Sequence, residues 1–549
     1  MNTKMMYRLI IIAILLCSIK AYAQVEHITI AHPVYTFLQK LENQNAIGKY
    51  NLNDLPLSKS RILEILSIAK EYSNISANDR DLIEEYMNEF DNHRVEATIL
   101  IPSKTDSLSI LSSEIYGNKQ KYLYLYKDSS YFTALKPLGS LDIITLSNKE
   151  SDKTGYSIIG NLGVRFSGSI DDFFGYSVQA TNGVLFGGER KVASYDNHYS
   201  KNIKFIYYKD DIDFTESHLR FSKDWFNASL GREYRLIGAG YFNRFIVSDN
   251  SPSFDAITLG AEFSNFKYQF MHASLLGFVN KVGGWETGFH ISIPSKYMAM
   301  HRFSINGEWG ELSLFEQIIY SDRQMDLAYL NPISFFKSLE HSLRDRDNAG
   351  IGFDFNIKTD LVQIKGTYFM DDVKFEEIGN GYWGNKSAWN LGVATNLLNN
   401  IDLRIEYARV EPYTFSHFNR QNSLINDGYM ISSYLNPNSD RISIGVNYWF
   451  GSKHPIDIEY SYTRHGKNII DSLGNIIKNV GGDPYWTKRE IDSESVVFLD
   501  GDGEFANNLK ISYAYEFIRN FTVNVLYNAV STNSNINHYI RFILKFDNF

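Results

Sequence analysis

The sequence predicts an all-β membrane protein: an 18-stranded antiparallel transmembrane β-barrel with a small N-terminal periplasmic helical domain. Three observations predict it. From about residue 130 to the end, apolar and polar residues alternate. The gaps between the alternating segments are short and long in turn. The composition is rich in Tyr and Phe (37 each) and poor in Pro (11), yet the mean hydropathy is only −0.27. That combination suits a chain that meets lipid through alternate residues. With 44% hydrophobic residues, disorder is excluded. One cysteine excludes a disulfide scaffold, and a net charge of −9 argues against a nucleic-acid partner.

Residues 1–23 read as an export leader. Lys4 and Arg8 give the positive start, Leu9 to Leu16 an apolar run, and Ala21-Tyr22-Ala23 a cleavage site. Cys17 follows Leu16, where a lipoprotein signal needs a small residue, so it is not read as a lipid anchor. Losing Lys4, Arg8 and Lys20 with the leader takes the net charge from −9 to −12. No other segment is long and apolar enough for a membrane-spanning helix.

Residues 24–95 form the expected helical domain. Val34, Phe37, Leu38 and Leu41 share one helical face. Ile62, Leu63, Ile65, Leu66 and Ala69 share a second, with Ser58 as N-cap. Leu82, Ile83, Tyr86, Met87 and Phe90 share a third, behind a capping box of Ser76 and Asp79. Three short amphipathic helices bury their stripes against one another or a neighbour, which predicts a plug or docking unit. Residues 96–129 connect it to the barrel.

The barrel spans 130–549. The expected strands are 130–147, 154–171, 173–187, 212–223, 226–238, 253–264, 266–277, 296–309, 311–322, 347–359, 361–373, 387–399, 401–413, 440–451, 455–466, 503–518, 520–532 and 536–549. Tight turns, as at Ser264-Asn265 and Asn399-Asn400, alternate mostly with long connections such as 323–346, 414–439 and 467–502. Short periplasmic turns and long outer loops are the outer-membrane pattern, so both termini fall on the periplasmic side. This places the protein in the outer membrane of a Gram-negative bacterium, with outer-membrane lipids as partners. The chain ends on Phe549, out of step with the apolar phase of Ile540, Phe542, Leu544 and Phe546.

The same alternation turns Asp354, Lys358, Lys365, Asp402, Arg404, Glu406, Asp457, Glu459, Lys510, Glu516, Arg541 and Lys545 into the lumen. The mixed signs predict cross-lumen ion pairs filling the interior, where a selective pore tends to carry one sign. A water-filled porin lumen is the alternative. No catalytic motif stands out: there is no G-x-S-x-G, H-E-x-x-H or phosphate-binding loop with lysine. Asp500-Gly501-Asp502-Gly503-Glu504 resembles part of a calcium loop but lacks its downstream glutamate pattern, and reads as a solvated acidic loop. No metal, cofactor or catalytic residue is expected.

Several stretches carry a family resemblance. They are Gly231-Arg232-Glu233 through Gly238-Ala239-Gly240 to Ser248-Asp249-Asn250-Ser251-Pro252; Leu330-Asn331-Pro332 to Phe336; Tyr382-Trp383-Gly384-Asn385-Lys386; and Glu411-Pro412-Tyr413-Thr414-Phe415-Ser416-His417. In their order and spacing the chain resembles the Wzi family of outer-membrane capsule-assembly proteins. Where relatives usually carry Trp-Gly after the first stretch, this chain has Leu236-Ile237-Gly238. The resemblance implies an eighteen-stranded barrel with a periplasmic helical bundle, acting as a lectin that retains capsular or other surface polysaccharide. Contact with the polysaccharide-export machinery through the helical domain is a further expectation. A nutrient porin is the alternative function. Binding glycan without cleaving it calls for aromatic platforms and for groups that reach hydroxyls. The outer loops offer Tyr241, Phe242 and Arg244; Trp285; Tyr382, Trp383 and Asn385; His417 and Arg420; and Trp486 and Arg489.

Overall fold

The computed structural model describes residues 24–101, 115–148, 153–171, 173–207, 210–278, 280–282, 290–450, 454–533 and 535–549. Three helices come first: α1 (Val34–Asn43), α2 (Lys59–Glu71) and α3 (Ala77–Phe90). The Ser58 side chain accepts from the Arg61 N–H and that of Ser76 from the Asp79 N–H, as the sequence predicts. Asp79 does not complete a reciprocal box; its carboxylate turns to the Lys40 ammonium at 2.6 Å. The three apolar stripes meet in one buried core.

Eighteen antiparallel strands then close a barrel. They are β1 (Tyr131–Asn148), β2 (Lys153–Ile170), β3 (Phe174–Gly188), β4 (Asp211–Lys223), β5 (Phe226–Glu233), β6 (Phe254–Phe263), β7 (Phe266–Leu276), β8 (Ser295–Gly307), β9 (Gly310–Ser321), β10 (Asn348–Lys358), β11 (Gln363–Asp372), β12 (Lys386–Leu397), β13 (Ile401–Val410), β14 (Ser439–Phe450), β15 (His454–Lys467), β16 (Asp502–Ile518), β17 (Phe521–Thr532) and β18 (Asn535–Phe546). Each expected strand is present. Closure comes from Asn537–Phe546 of β18 pairing with Gly139–Asn148 of β1. The tight turns hold Asp224, Ser264, Asn399 and Asn520 in the left-handed region, which short polar side chains tolerate. Outward residues such as Leu162, Leu230, Leu314 and Leu391 are exposed and form the apolar belt of a membrane barrel.

Three strands end three or more residues earlier than the periodicity suggests, β13 at Val410 among them. β5 stops at Glu233, because the chain then dives into the lumen. β18 stops at Phe546. Asp547 adopts a φ of +60°, and its carboxylate lies 3.4 Å from Lys136 and 3.6 Å from Arg165 inside the barrel. This inward turn takes Phe549 off the strand's apolar phase.

The helices sit in the short-turn mouth and are tied to the wall by charge. Glu42 of α1 pairs with Lys365 at 2.8 Å and accepts from Asn356 at 3.0 Å. Lys358 donates to the Gly48 and Tyr50 carbonyls at 2.6 and 2.5 Å. Asp54 meets Lys267 at 2.7 Å, and Arg519 bridges Glu85 and Glu89 of α3 at 2.7 and 2.6 Å. Trp449 of the wall enters the helical core beside Phe37. The lumen charges are thus neutralised mainly by inserted segments and nearby strands, as in Arg404 of β13 with Asp457 of β15 at 2.8 Å, rather than by pairs across the lumen. Filler chain occupies the intervening width of an eighteen-stranded barrel.

Candidate functional site

Residues 234–253 join β5 to β6 on the long-loop side but fold inward. Gly240 makes the tip possible: a Cβ there would lie 1.9 Å from the Asn243 carbonyl oxygen. Glu406, projecting from β13, anchors the tip. Its carboxylate accepts from the N–H groups of Tyr241 (2.6 Å), Phe242 (3.2 Å) and Asn243 (2.9 Å) and from the Asn243 side-chain amide (2.9 Å). Deeper still, Leu236–Ile237 pairs as a short antiparallel strand with Asp54–Leu55 of the helical region. An outer loop and the N-terminal plug therefore meet inside the barrel. Above them, Phe245, Ile246 and Val247 of the inward loop pack with Phe415, Leu424, Ile425, Ile431 and Leu435 of the 411–438 loop. The wall adds Met271, Met298, Phe315 and Phe369 to this core. An apolar core in the upper lumen is the opposite of a water-filled pore.

On the other side, residues 189–207 pack Tyr199 and Phe205 against Ile144, Ile159 and Tyr539 of the wall. Arg541 pairs there with Asp142 at 2.8 Å and Asp196 at 2.7 Å. Between this filler and the inward loop lies a chamber of about 850 Å³, lined by Tyr234, Tyr434, His198, Lys201, Asn202 and Asp249 among others. Thr29–Ala31 and Phe549 line its periplasmic end. The chamber exists because β5 is short: among the described residues, Asp211–Glu216 of β4 has no strand partner on that side. Lys201 lies 5.1 Å over the Tyr434 ring, and burial pushes its ammonium down to about 8. The volume falls in the range of ordinary ligand sites, ~300–1,000 Å³.

The expected site residues separate into three groups. Tyr241, Phe242 and Arg244 lie inside the barrel, not at its outer mouth. The Tyr241 hydroxyl donates to the Gln363 carbonyl at 3.1 Å, and Phe242 faces Arg404 at 5.2 Å. Arg244 donates to the carbonyls of Gly238 and Leu52 at 2.8 Å each, tying loop to plug, and burial lowers its guanidinium's proton affinity. Trp285 falls outside the described residues. The rest lie in the outer loops.

Two aromatic–cation clusters form there. In one, the Arg420 guanidinium lies 4.0 Å from the Phe278 ring, 4.9 Å from Trp486 and 5.9 Å from Tyr485. Trp486 remains 46% exposed. In the other, the Trp383 ring lies 5.6 Å from Lys386 and 5.8 Å from Lys488, with Tyr382 and Tyr413 alongside. Its indole N–H donates to Glu494 at 2.9 Å. Asn385 accepts from the Lys374 N–H at 2.7 Å and so braces this loop. Arg489 is committed to Asp492 through two bonds of 2.7 and 3.0 Å. Burial pushes His417 down to about 4, and its Nδ1 accepts from the Asn419 N–H at 3.1 Å.

Sequence reasoning missed Phe278, which falls just past the expected strand 266–277, and the chamber residues Tyr234, Tyr434 and Lys201. It also missed a triad that fixes the N-terminal segment. The His27 N–H donates to Nε2 of His218 at 3.0 Å, so His218 carries its proton on Nδ1 and donates to Glu233 at 2.8 Å. Nδ1 of His27 lies 3.1 Å from the same carboxylate, and burial pushes His27 down to about 4. By residue type these three could hold a divalent cation. Their hydrogen bonds, with Nδ1 of His218 protonated, make instead a complete latch between the N-terminal segment and β4–β5.

With this geometry in hand, residues 144–533 match the family described as capsule assembly protein Wzi. The chain belongs to the Wzi capsule-assembly family. The Escherichia coli Wzi structure, described as a carbohydrate-binding β-barrel involved in group 1 capsule assembly, is similar at 11% identity and a TM-score of 0.55, covering 94% of this chain and 99% of its own. OprD of Pseudomonas aeruginosa (10% identity, TM-score 0.41, 75% and 94% covered) and a BenF-like porin from Pseudomonas fluorescens (6%, 0.44, 75% and 97%) are more distant. No curated protein sequence matches. This Wzi-family chain is an outer-membrane barrel filled from both ends.

Proposed function

We propose that this protein binds and retains capsular or other surface polysaccharide on its outer face, without cleaving it. One observation carries the reading: cation-flanked aromatic clusters, Arg420 with Trp486 and Trp383 with Lys386 and Lys488, crown a lumen filled by its own loops and plug. An indole stacks on the C–H face of a sugar ring, and neighbouring amides and cations reach its hydroxyl or carboxylate groups. The similar Escherichia coli protein is described as carbohydrate binding, which fits this reading. The chamber beside Tyr434 is a second place where part of a chain could lodge. Acids near the clusters are engaged in structure: Asp492 with Arg489, and Glu494 with Trp383 and Lys488. This favours holding over hydrolysis. The plug's periplasmic face is the proposed contact with export machinery.

Deletion of the gene should leave polysaccharide made and exported but shed into the medium. The double variant Trp383→Ala/Trp486→Ala should fold, as heat-modifiable migration on gels would show, and lose on the order of 2 kcal/mol of binding, about thirtyfold. Loss of polysaccharide synthesis on deletion would refute retention. A folded double variant with wild-type binding would remove these two residues from the site.

A further inference from the structure

The connection from β9 to β10 does not stand up from the barrel; it folds down over the outer wall. Inward residues of β9 are Glu311, Ser313, Phe315, Gln317 and Ile319, since Glu311 meets Asn53 of the plug and Phe315 and Ile319 join the lumenal core. The opposite phase holds Leu312, Leu314, Glu316, Ile318 and Tyr320. The lower two are exposed, Leu314 by 63%, as a lipid-facing wall requires. The upper three are buried, Glu316 to 2% and the others completely. Tyr329 and Phe336 of the connection cover them, together with Phe270, Ala299 and Ala349 of neighbouring strands. Phe303 and Phe353, lower on those strands, are again exposed.

This cover shields an ionisable pair on the outside of a membrane barrel. Glu316 lies 2.9 Å from Nε2 of His301, and its carboxylate accepts from the Phe336 and Lys337 N–H groups at 2.8 Å each. The Tyr268 hydroxyl donates to the Pro332 carbonyl, and Phe336 stacks on the His301 ring. Glu316 is six residues above the turn end of β9, which at ~3.3 Å per residue and a tilt of ~40° puts it ~15 Å up, inside a belt ~25 Å tall. A carboxylate bare to lipid at that height is strongly disfavoured. The segment that covers it exposes apolar side chains of its own: Leu327 (81%), Ile333 (86%) and Phe335 (54%).

We propose that residues 326–342 are an outer-leaflet element, docked on the barrel wall with Leu327, Ile333 and Phe335 in contact with lipid acyl chains. The exposed apolar band of β8–β10 continues upward onto these residues, and that continuity selects lipid as the occupant. The segment thus replaces the bare wall in the outer half of the membrane in this sector.

Site-directed labelling tests this, since the only cysteine, Cys17, lies in the expected leader. Full-length Ile333→Cys and Phe335→Cys proteins, checked for folding by heat-modifiable migration, would carry a spin label in bilayers. Collision with oxygen, which enriches in lipid, would be compared with collision with a water-soluble nickel chelate. Leu314→Cys gives the lipid reference, and Leu473→Cys, on the 469–478 hairpin of an outer loop, gives the water reference. The expected oxygen-to-nickel ratio at both sites matches Leu314 and is several-fold above Leu473. A ratio matching Leu473 would overturn the proposal. Low accessibility to both reagents would also overturn it, by placing another protein surface over the segment.

Discussion

Glu406 receives four hydrogen bonds from the tip of the inward loop, three of them from consecutive backbone N–H groups. Replacing it with Ala leaves buried donors without an acceptor, at ~1–3 kcal/mol each. Glu406→Ala should therefore free residues 234–253 for proteolysis while leaving barrel migration on gels unchanged. An equally protected loop would show that the apolar core above it suffices. The alternation assigned Glu406 to the lumen correctly, but the sequence did not reveal what it holds. Gly238-Ala239-Gly240 was the available signal, because Gly240 is required where the Asn243 carbonyl passes. For the same reason Tyr241, Phe242 and Arg244 read as surface aromatics and a surface cation. A loop long enough to stand outside is also long enough to fold in, and periodicity does not distinguish the two.

Among the elements, strands were the most legible, because one face meets lipid and the other meets polar filler. Ile405, exposed by 43%, and Ser512 lie on opposite faces of the wall. Ile405→Arg should hinder insertion by ~2–4 kcal/mol, whereas Ser512→Arg should be tolerated, with heat-modifiable migration as the readout. Equal tolerance would reverse the facing assigned here. The helices were legible from stripes and caps, but their seat in the barrel was not, since its contacts lie hundreds of residues away. Those contacts give the seat a pH dependence. Burial would raise the Glu42 carboxyl, but Lys365 and Lys358 hold it below its ordinary 4.5; Lys267 likewise holds Asp54 at about 2 against burial. Burial holds His27 near 4 rather than 6.5. In each case the undocked state binds protons more readily, so docking is strongest above pH 6.5. It weakens toward pH 4 as free His27 charges, and further below 4.5 as the carboxylates protonate. Protection of residues 34–90 against hydrogen exchange, corrected for the intrinsic pH dependence of amide exchange, should fall toward acid; unchanged protection down to pH 4 would contradict the latch. The 323–346 connection stayed unreadable because its helices, Leu327–Leu330 and Phe336–Ser342, are too short to show a face.

For the molecule as a whole, the choice between a retaining surface protein and a pore depends on the lumen. Mixed lumenal charge points toward a filled interior in the sequence, and among the described residues the filling comes from four inserted pieces: the N-terminal helices and the 189–207, 234–253 and 411–438 loops. The chamber they leave is bounded by the plug, the loops and the wall. Single-channel recording of the purified full-length protein in planar bilayers tests this most directly. Inserted protein is expected to stay closed at neutral pH, with no steady conductance. Large, stable openings in every insertion event would contradict a sealed barrel and favour the nutrient porin.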